Sequence, residues 1–138
     1  MAYWLIKSEP NTWSWDQQVA AGVEEWDGIR NHQAKNNLLA MRQGDRIFFY
    51  HSVSGTEIVG IVEVAAEAHT DSTDPTGKWF AVDVRPVRPF AKPVTLQQIK
   101  ADPSLSDMAL VKNSRLSVQP VTAAEWQLVC RMGETDPS

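Results

Sequence analysis

The sequence predicts an α+β domain. Three observations carry that reading: short aromatic and β-branched runs bounded by turn signals, three capping-box patterns that open short helices between them, and no βαβ repetition. A curved sheet able to close into a small barrel is the architecture such strands favour.

Tyr3 to Lys7 is an apolar run stopped by Ser8-Glu9-Pro10, a buried strand that ends before proline. Ser14-Trp15-Asp16-Gln17 has capping-box spacing, and Gly22 supplies the stop for a helix of one or two turns. Asn31 is placed to cap a second helix through about Arg42, with Ala34, Leu38 and Met41 at helical spacing and Gly44 closing it. From Asp45 the pattern changes to three strands, Arg46 to His51, Glu57 to Ala65 and Trp79 to Val87, separated by Ser54-Gly55 and by the polar segment Thr70 to Gly77. Thr95-Leu96-Gln97-Gln98 and Thr122-Ala123-Ala124-Glu125 are the remaining capping boxes, with a late strand at Leu116 to Val118 between them. Gly60, inside an apolar strand, reads as a bulge more readily than as a close approach of ligand to the backbone.

With 138 residues, 43% of them hydrophobic, the chain suits one domain over residues 1–133, followed by a tail, 134–138, expected to fray. Thirteen Lys plus Arg against seventeen Asp plus Glu give a net charge of -4, which excludes a protein that coats nucleic acid through bulk electrostatics. Cys130 is alone, and no Cys/His cluster has metal-ligand spacing. No cofactor or metal is expected, no apolar run is long enough to span a membrane, and no secretory signal opens the chain, so a cytoplasmic location is expected.

Four of the six tryptophans fall in the first 26 residues. They are interleaved with Lys7, Ser8, Arg30 and Asn31, groups that hydrogen-bond the edge of a flat ring or meet a phosphate while an indole covers its face. The pattern points to a pocket for a nucleobase.

Two long segments, Trp4-Leu5-Ile6-Lys7-Ser8-Glu9-Pro10 and Trp26-Asp27-Gly28-Ile29-Arg30-Asn31-His32-Gln33-Ala34-Lys35-Asn36, are the most specific in the chain. With Phe48-Phe49-Tyr50-His51-Ser52, Lys78-Trp79 ahead of Val82-Asp83-Val84, and Asn113-Ser114-Arg115-Leu116-Ser117-Val118, they resemble the EVE domain, a member of the PUA-like superfamily related to the YTH domain. The resemblance implies a PUA-like pseudo-barrel of mixed strands with flanking short helices. It also implies an aromatic pocket for a modified base: eukaryotic EVE proteins are associated with modified cytosine in DNA, and YTH domains read methylated adenine in RNA. The expected partner is therefore a nucleic acid, DNA or RNA, bearing a modified base.

Trp26, ahead of an Asp-Gly turn signal, is the first candidate for a cage wall, and Trp79 the second, because each resembles a YTH cage position. Lys7 and Ser8 end a strand where a cation and a hydroxyl reach a base edge, and Glu9 offers an acceptor for an exocyclic amine. Asn31, Tyr50 and Ser52 are further base-contact candidates; Asn31 alternatively caps the second helix. Arg30, just before a helix N-terminus, suits a phosphate, or else pairs with Asp27. Arg115 resembles the phosphate-contacting arginine of YTH domains. The other tryptophans, Trp4, Trp13, Trp15 and Trp126, sit in runs that read as packing. Two alternative functions remain open: a nucleotide- or RNA-processing enzyme using Lys7 and His51, and a peptide-binding module. No catalytic motif of recognised spacing supports the first, and His51 reads more readily as a hydrogen-bonded core residue.

Overall fold

A computed structural model describes residues 1–138. The elements follow as β1 (Tyr3–Ser8), α1 (Trp15–Ala21), β2 (Glu24–Trp26), α2 (His32–Ala40), β3 (Arg46–His51), β4 (Glu57–Thr70), β5 (Phe80–Thr95), α3 (Leu96–Ala101), α4 (Ala109–Lys112), β6 (Val118–Val121) and α5 (Ala123–Met132). A 3-10 turn at Pro103–Leu105 joins α3 to α4.

The six strands form one mixed sheet in the order β2-β5-β4-β3-β1-β6, in which β1 and β3 are parallel and the other pairs antiparallel. The end strands β2 and β6 do not pair, so the expected α+β pseudo-barrel is an open one. Helix α2 packs against β4, β5 and β6 and covers the unpaired seam.

Period-two alternation divides the sheet into two buried faces. Trp4 and Ile6 of β1, with Ile47 and Phe49 of β3, join one core, which Ala34, Leu38 and Met41 cap from the α2 side. Leu5, Phe48 and Tyr50 point the other way into a second core closed by Ile99, Leu105 and Trp126. Each such aliphatic or aromatic side chain contributes roughly 1.5–3 kcal/mol by burial. Trp126 is sandwiched there, stacked on Phe48 at 3.8 Å and on Tyr3 at 4.6 Å between ring centroids.

All three capping boxes form, at Ser14, Thr95 and Thr122. Helices as short as α1 and α3 are marginal alone, and a cap worth about 1 kcal/mol helps fix where each begins. Gly60 lies at a register shift where Phe49 pairs with Gly60 but Tyr50 pairs with Ile58. The close approach there is by Trp15, whose indole would lie 2.5 Å from a Cβ at Gly60.

Several expectations are corrected. Strand β2 was not foreseen, and β4 and β5 run on to Thr70 and Thr95, because bulges let the pairing pass Pro86 and Pro89. The late strand is Val118–Val121, with Leu116 in the turn before it. The tail expected to fray folds back: the Trp126 indole donates to the Pro137 carbonyl at 2.9 Å, Arg88 to that of Asp136 at 2.9 Å, and the Thr135 amide to Cys130 at 2.9 Å.

Candidate functional site

A cleft of about 390 Å³ opens on the sheet face that carries the Trp26 core. Lys7 and Ser8 end β1 at its floor, Glu9, Thr12 and Trp13 come from the turn that follows, and Glu24, Glu25 and Trp26 come from β2 with Asp27 and Ile29 just beyond.

Local hydrogen bonding sets the first wall. The Thr12 and Trp13 amides both donate to the Glu9 carbonyl, at 2.9 and 2.8 Å, and fold the chain back after Pro10. The Ser8 hydroxyl donates to the Trp13 carbonyl. The Trp13 indole N–H donates to Gln18 Oε1 at 3.0 Å, and the buried Gln18 amide in turn donates to the Gly22 carbonyl at 2.9 Å. Trp13 is thus oriented by α1.

Trp26 makes the second wall from a strand, where it pairs with Val82 of β5. It is the last residue of that strand and borders the loop that begins at Asp27. Only 8% exposed, it meets Phe49 edge-on at 5.7 Å and belongs to the core while its remaining surface faces the cleft. Beyond it, Gly28 adopts φ of 79°, a conformation open to glycine, and donates its amide to Asp71 at 2.8 Å.

The lining is rich in carboxylates. Lys7 is its one cation, against Glu9, Glu24, Glu25 and Asp27. Burial lowers the Lys7 pKa, and its ammonium donates to the Ser114 carbonyl at 2.6 Å. The Asp27 carboxyl is pushed up by burial and by its neighbours Asp71 and Glu25, with Arg30 opposing. Glu25, Asp27 and Asp71 bring carboxylate oxygens within 4.8 Å of one another. Protein donors already hold two of them: Gly28, Arg30 and Thr73 donate to Asp71, while Ser72 donates to Glu25. Burial disfavours the Asp71 charge, but the bonds from Thr73 and Arg30 outweigh it and hold the carboxyl well below the usual range. Such a lining repels phosphate and accepts hydrogen bonds from amino groups.

Of the sequence candidates, the structure brings Lys7, Ser8, Glu9 and Trp26 together. Asn31 instead caps α2, its side-chain oxygen accepting from the Ala34 amide at 2.9 Å. Tyr50 lies in the opposite core, 3% exposed, and the Ser52 amide donates to the Ser8 carbonyl at 2.9 Å; neither Tyr50 nor Ser52 lines the cleft. Trp79 also stands outside it, and Arg30 pairs with Asp71 at 3.0 Å in place of Asp27. Arg115 is exposed on the loop whose Ser114 carbonyl holds Lys7. His51 accepts from the Trp15 amide through Nε2 at 3.1 Å, and burial lowers its pKa. Trp13 is the wall the sequence reading missed, although the turn signal at Pro10 marks the reversal that delivers it.

The EVE domain model matches residues 2–132. The chain belongs to the EVE domain family. Thymocyte nuclear protein 1 of Mus musculus is 35% identical to it over 99% of this chain and 75% of that protein. A protein of Rhodopseudomonas palustris solved by NMR is 60% identical, with a TM-score of 0.93 over 97% of this chain and 94% of its own. The human THYN1 protein, solved in complex with 5-methylcytosine-containing DNA, is 32% identical, with a TM-score of 0.91 over 99% of this chain and 100% of that one.

Proposed function

We propose that this EVE domain is a binding module that receives one modified base, as a single-stranded or flipped nucleotide, between Trp13 and Trp26. The observation that carries the reading is two tryptophans lining a cleft of nucleoside size whose polar lining is mostly carboxylate. The likeness to human THYN1 bound to 5-methylcytosine-containing DNA supports a modified cytosine in DNA as the occupant.

A stacked base offers no face to an indole, so the base must leave the stack at a cost of a few kcal/mol, about what two base-aromatic contacts of roughly 1–3 kcal/mol each return. Edge contacts then set preference. Glu9 accepts from the exocyclic amine, while Lys7 and Ser8 supply the polar floor. The phosphates stay outside, with Arg115 placed to meet one.

Binding without turnover is the better reading, because the two residues that a processing enzyme would use are already engaged, His51 with the Trp15 amide and Lys7 with the Ser114 carbonyl. The one cysteine, Cys130, is free and buried, which is compatible with a reducing compartment such as the cytoplasm.

The test is calorimetry against short single-stranded DNA and RNA carrying methylated or hydroxymethylated cytosine or methylated adenine, beside unmodified controls. Modification-dependent binding that Trp26→Phe and Glu9→Gln weaken is the expected result. Equal binding to modified and unmodified strands, or none to either, would overturn the proposal.

A further inference from the structure

A tryptophan outside both hydrophobic cores is unusual in a domain of this size, and Trp79 is one. Half-buried, it packs against the exposed His32 ring in a tilted pair, 4.9 Å between centroids with 32° between the planes. Two cations flank it, the Arg30 guanidinium 5.8 Å and the Lys35 ammonium 5.3 Å from the indole centre.

The group is held in place before any ligand arrives. The Trp79 amide donates to Asp74 at 2.9 Å, and its carbonyl accepts from the Asp71 amide at 2.9 Å. Arg30 is oriented by Asp71, yet its side chain remains 40% exposed. Lys35 forms no ion pair. The ledge adjoins the cleft through the chain itself, since Ile29 lines the cleft and Arg30 follows it.

We propose that the Trp79–His32 pair with Arg30 and Lys35 is a second nucleotide subsite, holding the base and phosphate adjacent to the nucleotide whose base occupies the cleft. The proposal rests on the base-binding reading above. A carboxylate-lined cleft rejects phosphate, so a strand that places one base inside must find cations beside the entrance. This ledge gathers two of them around an aromatic surface, in a chain of net charge -4. Stacking on the supported imidazole tolerates any base, while the two cations take the backbone. The subsite therefore adds affinity for a strand without reading its sequence.

The experiment compares a free modified nucleoside with a single-stranded hexanucleotide carrying the same base, on wild type and on Trp79→Ala, His32→Ala and Lys35→Gln, with thermal unfolding as the fold control. The expected result is unchanged nucleoside affinity in every variant. Hexanucleotide affinity should fall about tenfold for Trp79→Ala and for His32→Ala, the scale of one lost base-aromatic contact. Lys35→Gln should lower the slope of log affinity against log salt by about 0.7. His32→Ala carries the test if Trp79→Ala fails to fold. Hexanucleotide binding at wild-type strength in folded variants overturns the subsite alone; failure of wild type to distinguish modified strands overturns the cleft reading beneath it.

Discussion

Replacing Asp71 by Asn probes how one buried carboxylate holds together the two loops beside the cleft. Its side chain is 0% exposed and accepts from the Gly28 amide at 2.8 Å, Arg30 at 3.0 Å, and the Thr73 amide and hydroxyl at 2.7 and 2.6 Å. The amide keeps the shape but exchanges an acceptor oxygen for a donor that faces other donors. Hydrogen bonds to charged groups contribute about 1.5–3 kcal/mol each, and Arg30, partly exposed, recovers water when released. A net loss of about 2–3 kcal/mol follows, roughly 7–10 °C in Tm for a domain of this length. The same substitution removes a negative neighbour from Asp27, whose raised pKa should move down. Because Asp71 is depressed in the folded state, its contribution is present above the unfolded carboxylate range and is lost as pH falls from there toward the folded value. Urea unfolding across pH, with an NMR titration of Asp27, measures both effects. A stability change under 0.5 kcal/mol together with an unmoved Asp27 would refute the reasoning.

Gly60→Ala should cost about 1–3 kcal/mol, because Trp15 must leave β4; tryptophan fluorescence and denaturation report the move, and an unchanged midpoint would show that α1 yields freely. Acidification should loosen the start of α1: His51, with its pKa depressed by burial, favours folding above the unfolded histidine range and loses that contribution as pH falls below it, which hydrogen exchange of the Trp15 amide will register. His69 acts with the opposite sign, since its hydrogen bond to Asp83 raises its pKa and its stabilisation is lost as pH rises through the folded value; His69→Gln should therefore steepen the acid sensitivity of global stability. Val53→Gly should raise stability by up to about 1 kcal/mol, because a 77% exposed β-branched residue at φ of 72° carries strain that glycine does not; a lower Tm would show that the valine packs.

The elements legible in the sequence were those specified locally. Capping boxes at Ser14, Thr95 and Thr122 need only residues three apart, and β3 was bounded by its own apolar run. What escaped was set by partners distant in the chain. Strand β2 has three residues and exists because Val82 to Val84 accept it at the sheet edge. Trp13 looks like core, and it packs against the core, but its bonds to Gln18 and to the Glu9 carbonyl also leave it lining the cleft. Lys7, Ser8 and Glu9 were readable because they end a strand, where side chains leave the sheet for the rim. Tyr50 misled because one position along β3 sends it to the core opposite that of Phe49, and although Lys7 beside it on β1 reaches the cleft, Tyr50 does not.

That one-residue alternation separates two properties that most small binding domains must draw from the same side chains. Leu5, Phe48 and Trp126 secure the fold from one face of the sheet, while Ile6 and Phe49, their immediate neighbours in sequence, support the aromatic walls on the other. Repacking around Trp126 and α5 therefore offers a route to a sturdier protein with its selectivity intact. On the proposed base-binding reading, substitutions behind Trp26 reshape what the cleft accepts at a cost confined to the core that Trp26 shares.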